Sequence, residues 1–318
     1  MSQFQIPRQI CFLDCCHLIG FLTLTFILCA CSLEKVDAEL VFIFGEEGVE
    51  PGQFKYVEDF AVDGNGNLFI TDALNGNVQV FRADGTFVSM FGVAKDTGGL
   101  RKPEGIAIDE DGNIHVADYL TGYVEKFSSD YQHMQTYSGY GSVEGKTQET
   151  EFMTFHQNGF LYVPEAGNSR ISVFDKEGRF QFTFSHKGNA PGELNRPEAI
   201  KHNSRGLLYV TDLGNHRIQV FDENGKFLFL WGSEGNGPGQ FRKPSGLAID
   251  AEDNVYVAEI GNNRIQKFNS RGKFQYMFGQ SGREPGDFGN IHGLVIGSNK
   301  LLYVADTANH RVQVFDVR

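Results

Sequence analysis

Six positions, each 14 residues before a recurring acidic residue, carry the side chains best suited to chemistry. The recurring acids are Asp72, Asp118, Glu165, Asp212, Glu259 and Asp306. The six positions before them hold Glu58, Glu104, Glu151, Glu198, Ser245 and His292. Oxygen-rich sites suit calcium or magnesium, and an imidazole widens the choice to zinc or manganese. If these positions surround one axis, like charges in a small ring raise some carboxyl pKa values or recruit a cation. We therefore take Glu58, Glu104, Glu151, Glu198 and His292 as candidate metal ligands, with calcium or zinc as the cofactor.

The same ring of residues has two other interpretations. Three basic residues stand two positions before members of the ring, and they can pair with the glutamates to leave a solvated rim of mixed charge: Lys102, Arg196 and Lys243. Alternatively, the ring binds a cationic or sugar-like ligand. We expect the candidate binding residues to lie on the same face of the molecule as the ring, and they are Ser245, His216, His310, Lys102, Arg196 and Lys243.

An internal repeat determines how these positions are arranged. The six recurring acids are spaced by 46, 47, 47, 47 and 47 residues. Each unit contains four short strand-like runs, which in the unit beginning at Pro244 read SGLAID, VYVA, RIQKF and KFQYMFG. Asn, Asp and Gly separate the runs, as is typical of turns. Four strands per repeat of this length predict a propeller blade. We therefore expect an all-β, six-bladed β-propeller over residues 40–318.

The two ends of the propeller predict how the ring closes. The sixth unit ends at Arg318, just after its third strand, VQVF. The segment LVFIFG, which begins at Leu40, is similar to the fourth strands of other units, such as FQYMFG. We expect this N-terminal strand to complete the last blade, because such closure pairs edge strands that otherwise promote aggregation.

The repeat resembles the NHL repeat. The motif is most complete in DLGNHRIQVF, which begins at Asp212, and in DTANHRVQVF, which begins at Asp306. An acid and an arginine five residues later flank one tight loop, so we expect bidentate structural pairs. These pairs are Asp212 with Arg217, Glu259 with Arg264, Asp306 with Arg311, and Glu165 with Arg170. The third unit diverges most, with Phe152 where three other units have glycine. The resemblance is specific for fold and does not define function.

The N-terminal residues predict export. The apolar run Leu18–Ala30 is too short to span a bilayer and follows Arg8, as in a secretory signal. Leu28-Cys29-Ala30-Cys31 resembles the bacterial lipobox, although cysteine is unusual at its second position. The resemblance implies cleavage after residue 30 and lipid attachment to Cys31, followed by a short linker over residues 31–39. Secretion without a lipid, an uncleaved anchor and a start site placed too far upstream stay open.

Composition narrows the function classes. The net charge of −12 argues against a nucleic-acid partner, because phosphate neutralisation needs an excess of Lys and Arg. We expect a monomeric, exported module that binds a protein, peptide or glycan. It would face the periplasm or cell surface on a lipid anchor, its only attachment to the membrane, or be secreted. The alternative is a metal-dependent lyase or lactone hydrolase at the channel mouth. Six-bladed amidoglycolate lyases and lactonases resemble the chain in fold, but the former use three channel histidines and only His292 is well placed here.

Overall fold

Alternation of apolar and polar residues between Gly, Asn and Asp turns produces short antiparallel strands throughout the structure. The structure is a computed structural model that describes residues 38–93 and 98–318. Within these residues, 24 strands form six four-stranded antiparallel sheets, one per repeat. The predicted all-β, six-bladed propeller is therefore confirmed. The predicted signal segment 1–30 and Cys31 lie outside the described residues.

The strands follow one another from the channel outwards in each blade. Blade 1 contains β2 (Val57–Val62), β3 (Leu68–Asp72), β4 (Asn77–Phe81) and β5 (Phe87–Phe91). Blade 2 contains β6 (Pro103–Ile108), β7 (Ile114–Asp118), β8 (Tyr123–Phe127) and β9 (His133–Ser138). Blade 3 contains β10 (Thr154–Phe155), β11 (Leu161–Glu165), β12 (Arg170–Phe174) and β13 (Phe180–Phe184). Blade 4 contains β14 (Pro197–His202), β15 (Leu208–Asp212), β16 (Arg217–Phe221) and β17 (Phe227–Trp231). Blade 5 contains β18 (Pro244–Ile249), β19 (Val255–Glu259), β20 (Arg264–Phe268) and β21 (Phe274–Phe278).

Blade 6 combines the two ends of the propeller. Its strands are β22 (Leu294–Ile296), β23 (Leu302–Asp306), β24 (Arg311–Asp316) and β1 (Glu39–Phe44). β1 pairs antiparallel with β24, so the N-terminal strand closes the last blade as predicted. It begins one residue earlier than expected, inside the predicted linker.

Short helical turns are the only helices among the described residues, and they lie at Leu213–Asn215 and Thr307–Asn309. In the described part of the chain, no helix is long and apolar enough to cross a membrane.

The hydrophobic core lies between neighbouring blades. Four tyrosines at equivalent positions, Tyr162, Tyr209, Tyr256 and Tyr303, are almost fully buried there. The hydroxyl of Tyr303 in blade 6 donates to the backbone oxygen of Ala83 in blade 1 at 2.6 Å. A buried tyrosine hydroxyl needs such a partner, and this one joins blades that are far apart in sequence.

The acid–arginine pairs of the repeat hold four of the six blades, blades 3 to 6, to the loop before each. Arg217 donates from Nε to Oδ2 of Asp212 at 2.7 Å, while its terminal nitrogens donate to the backbone oxygens of Asn189, Ala190 and Glu193. The contact between Arg217 and Asp212 is therefore not bidentate, which corrects the expected geometry. The terminal nitrogens instead satisfy loop carbonyl groups. Arg170, Arg264 and Arg311 repeat the arrangement.

Backbone segments of neighbouring blades approach closely around the channel. The amide of Gly293 donates to the backbone oxygen of Glu58 at 2.9 Å, and a Cβ at this glycine would stand 2.1 Å from that oxygen. Blade 3 keeps this contact, because the amide of Phe152 donates to the backbone oxygen of Glu198 at 2.9 Å. Its innermost strand, however, has only two residues. The third unit is thus the irregular side of the ring.

Candidate functional site

The start of the innermost strands forms the mouth of the central channel. Five of the six predicted ring positions line one cavity of about 240 Å³ there: Glu58, Glu104, Glu151, Glu198 and His292. Three predicted binding residues, Lys102, Arg196 and Lys243, line the same cavity. Residues from different blades, up to 234 positions apart in sequence, thus meet in one small site.

Local structure explains why the glutamates point into the channel. A β-bulge interrupts strand pairing between Val57 and Phe60, and therefore contains Glu58. Equivalent bulges contain Glu104 and Glu198. A bulge leaves its residues out of the ladder and re-aims their side chains. The recurring acid fixes the approach to the bulge, since the carboxylate of Asp72 accepts from the amides of Lys55 and Tyr56.

All four glutamates are buried, with exposed fractions between 2% and 7%. Burial raises the pKa of Glu58 and of Glu151 well above the ordinary range. Burial, followed by repulsion from Glu58, raises the pKa of Glu104 to about 7. Burial also raises the pKa of Glu198 to about 7. The mouth therefore holds protons at neutral pH, because four buried carboxylates in one cavity are not stable when all are ionised.

Two of these carboxyl groups share a hydrogen bond. Glu104 and Glu151 are hydrogen-bonded through their side chains, which requires a proton on one of them. Lys102 Nζ lies 2.5 Å from Oε1 of Glu104 and 3.9 Å from the ring centre of Tyr119. Lys102 therefore compensates one carboxylate, and the proton compensates the second.

His292 and Glu58 form an incompletely satisfied contact in the same cavity. Nδ1 of His292 lies 2.7 Å from Oε2 of Glu58. The two groups are not aligned as a hydrogen bond, so neither atom has a hydrogen-bond partner within the described residues. Asn290 places its amide 3.2 Å from Nε2 of the imidazole. Burial lowers the pKa of His292. The imidazole is therefore neutral, and Nδ1 and Oε2 face each other in the buried wall of the mouth without an aligned hydrogen bond.

The remaining predicted binding residues have structural partners. The Ser245 hydroxyl donates to the backbone oxygen of Ile291 at 3.2 Å and does not line the cavity. Nδ1 of His216 accepts from the amide of Lys243 at 3.1 Å, and Nδ1 of His310 donates to the oxygen of Lys55 at 2.8 Å. Both histidines have φ values in the left-handed region, 56° and 57°. They end their loops and connect adjacent blades.

The predicted ligands surround the mouth, and their assignment to a metal ion stays a prediction. Across residues 38–93 and 98–318, no group of three or more His, Cys, Asp or Glu side chains could hold a metal ion. Protons, Lys102 and Asn290 interact with the ring residues in this arrangement.

An exposed apolar surface beside the mouth was not identified from the sequence. Tyr119 borders both the mouth and an adjoining hollow of about 300 Å³, which Leu120, Tyr140 and Glu149 also line. Leu120 is 57% exposed and Tyr140 is 58% exposed. We call Tyr119, Leu120 and Tyr140 the aromatic shelf.

A departure from the repeat could have revealed this shelf. Units three, four and five have glycine where the second unit has Leu120. The second unit also has Tyr123 in place of the arginine found in later units. Both changes enlarge the exposed apolar area on the face that carries the channel mouth.

Comparisons with known proteins agree with this architecture. A family described as a six-bladed β-propeller matches residues 194–269, and the NHL repeat family matches residues 288–315. The chain is a six-bladed propeller whose last unit matches the NHL repeat. No curated protein matches the chain at a significant level.

Solved structures of similar fold have varied functions. Virginiamycin B lyase from Staphylococcus aureus has a TM-score of 0.61 at 14% identity, covering 86% of this chain and 94% of its own. A gluconolactonase from Xanthomonas campestris has a TM-score of 0.63 at 13% identity, with 83% and 86% covered. An auxiliary nutrient binding protein from Bacteroides ovatus has a TM-score of 0.65 at 14% identity, with 87% and 76% covered. At these identities the similarity extends to the fold alone.

Proposed function

We propose that this propeller is a binding module that receives a basic side chain of a peptide or protein in its channel mouth. One observation carries the proposal: four buried carboxyl groups face a single cavity and are kept there by protons and one lysine contact. A lysine or arginine side chain would replace the proton between Glu104 and Glu151. It would form charge-assisted hydrogen bonds, which are about twice as strong as neutral ones.

The aromatic shelf supports a peptide ligand more than a free cation. Tyr119 separates the acidic mouth from the hollow beside Leu120 and Tyr140. A basic residue in the mouth would therefore place a neighbouring residue of the same peptide over apolar surface. Tyrosine and other large apolar groups that combine exposure with a rigid backing are typical of interface centres. The fold of the auxiliary nutrient binding protein is consistent with a binding role.

A comparison of basic and neutral peptides tests the proposal. The probe is a library of short peptides with Lys, Arg or norleucine at a central position, presented to the immobilised protein. We expect enrichment of Lys and Arg peptides, and loss of that enrichment in Glu104→Gln/Glu198→Gln. The matched control is Glu144→Gln/Glu252→Gln, which removes the same charge from exposed positions. Equal recovery of norleucine peptides would contradict the proposal, and selective binding on a neutral glycan array would assign the site to sugars instead.

We also propose export and lipid anchoring through Cys31. The supporting observation is the apolar run before a lipobox-like sequence. Mass spectrometry of the N-terminal peptide from expressed protein should find a diacylglycerol on Cys31. Cys31→Ser should release the protein from the membrane fraction, and an unmodified, uncleaved N-terminus would reject the anchor.

A metal-dependent lyase or lactone hydrolase is the second candidate function. The pKa values of about 7 for Glu104 and Glu198 suit general acid–base catalysis near neutral pH. Similarity in fold to a lyase and to a gluconolactonase is consistent with this chemistry. Metal analysis of the desalted protein from residue 32 onwards tests it. About one equivalent of calcium or zinc, with metal-dependent turnover of a lactone, would favour the enzyme over the binding module.

A further inference from the structure

A second cavity occupies the opposite end of the central channel. It has a volume of about 240 Å³, and the middle and last residues of the innermost strands of all six blades line it. Most of its lining residues have apolar side chains, including Ile108, Phe155, Leu247 and Leu294, while polar atoms supply about half of the surface that faces the cavity. The acidic residues of the mouth do not line it. The two ends of the channel thus differ in their charged side chains.

One lysine lines this cavity at a position where the repeat has small or apolar residues. Among the described residues that line the cavity, Lys201 is the only Lys or Arg, and His202 lies beside it. The equivalent positions of the other five units are Ala61, Ala107, Thr154, Ala248 and Val295. The small alanine side chains leave room around the lysine. A largely buried ammonium group is costly unless a charged or polar partner compensates it.

The partner of Lys201 lies on the opposite side of the ring. Asp59 belongs to blade 1 and Lys201 to blade 4, three blades apart in a ring of six. Nζ of Lys201 is 3.9 Å from Oδ1 of Asp59, which exceeds hydrogen-bond length. Asp59 is 1% exposed and does not line the cavity, and its Oδ1 has no hydrogen-bond partner within the described residues. Asp59 therefore compensates the positive charge of Lys201 from outside the cavity, without accepting a hydrogen bond from the ammonium group.

The ammonium group retains donor capacity towards the cavity. Its one hydrogen bond within the described residues goes to the backbone oxygen of Met153 at 3.3 Å. An ammonium carries three N–H donors, so it can donate to a ligand as well. Attraction between this group and an anion is stronger than in water, because the lysine side chain is only 17% exposed and water screens it poorly.

We propose that this far-end cavity binds a small amphipathic anion, with the anionic group on Lys201 and the apolar body against the cavity walls. The volume lies below the range of about 300–1,000 Å³ that accommodates drug-sized ligands. The ligand class is therefore a short aliphatic or aromatic carboxylate. The proposal concerns a site separate from the mouth and does not depend on the function proposed for it.

Calorimetric titration of the purified protein with hexanoate and phenylacetate tests this site. The neutral analogue hexanamide has a similar apolar body and should bind at least about tenfold more weakly than hexanoate, because it lacks the charge-assisted hydrogen bond. Absence of carboxylate binding, or equal binding of hexanoate and hexanamide, would overturn the proposal.

Two variants with opposite expected effects distinguish a binding role from a structural one. Lys201→Met should weaken hexanoate binding about tenfold or more, since it removes the cation. Asp59→Asn should strengthen it by a factor of about three or more, since it removes the competing carboxylate. Both variants break the same ion pair, so a purely structural role would weaken binding in both. Lys273→Met, at an exposed position, is the matched control and should bind as the unmodified protein does.

Discussion

Ionisation of the buried Glu104 carboxyl group is unfavourable in the folded protein, so Glu104→Gln should stabilise the protein at alkaline pH. Glu104 is only 4% exposed, and its pKa is raised from 4.5 to about 7. One pKa unit corresponds to 1.36 kcal/mol, so ionising this group in the folded protein costs roughly 3 kcal/mol. Glutamine preserves the shape and can still hydrogen-bond to Glu151, but it carries no charge to desolvate.

The sign of the effect follows from proton linkage. The pKa of Glu104 is higher in the folded protein than in the unfolded chain, so the folded protein retains a proton that the unfolded chain releases. The stabilising contribution is complete below about pH 4.5, falls as pH rises, and is lost above about pH 7. Glu104→Gln should therefore match the unmodified protein near pH 4 and exceed it at pH 8.

The lost contact with Lys102 reduces this gain only slightly. The Lys102 side chain is 28% exposed, and partly exposed ion pairs contribute about 0–1 kcal/mol. We therefore expect Glu104→Gln to raise the free energy of unfolding by about 2 kcal/mol at pH 8. The difference between the two proteins, followed across pH, reports Glu104 together with the neighbouring glutamates whose pKa values it raises, because titrating groups outside the mouth cancel.

Urea denaturation at pH 4 to 8, followed by circular dichroism, measures the effect. Glu252→Gln, at an exposed position, is the control and should show no pH-dependent difference from the unmodified protein. If the difference in free energy of unfolding between Glu104→Gln and the unmodified protein is constant across this pH range, or if the variant is less stable at pH 8, ionised Glu104 does not destabilise the folded protein and the reasoning is refuted.

Three further predictions concern the scaffold. Arg217→Ala should cost about 3–5 kcal/mol, because it removes a partner of a buried carboxylate, whereas Arg179→Ala, with a side chain 73% exposed, should cost about 0–1 kcal/mol; equal losses in chemical denaturation would contradict the assigned roles. Gly293→Ala should cost about 1–3 kcal/mol by steric conflict, and Gly64→Ala, which meets nothing within 4 Å, should leave the melting temperature nearly unchanged. Deletion of β1 should cause aggregation on size-exclusion chromatography, since it exposes the edge of β24; an elution profile equal to that of the unmodified protein would contradict the protective role of β1.

Much of the fold could be predicted from the spacing of one residue type. The recurring acids mark the end of the second strand in every blade, and their regular spacing predicted six blades and the closing strand. Counting back from those acids also predicted which residues would meet at the mouth, because each blade repeats one local geometry. The prediction succeeded where a property depended on the repeat alone.

The repeat could not predict interactions between residues that depart from it. Asp59 and Lys201 replace small residues in different units, and nothing in the sequence relates them. Only the ring brings them within 3.9 Å of each other. The aromatic shelf is a similar case, since Leu120 and Tyr140 lie on separate loops and line the same hollow beside the mouth.

The sequence alone therefore determined the number of blades, their closure and the residues of the acidic mouth. These features arise from short-range patterning that each unit repeats, so one unit serves to interpret the others. The tertiary structure decided the protonation of the glutamates, the partners of His216 and Arg217, and the lysine in the far-end cavity. Burial, hydrogen-bond direction and distance across the ring control these properties, and they arise only when all six blades surround one axis.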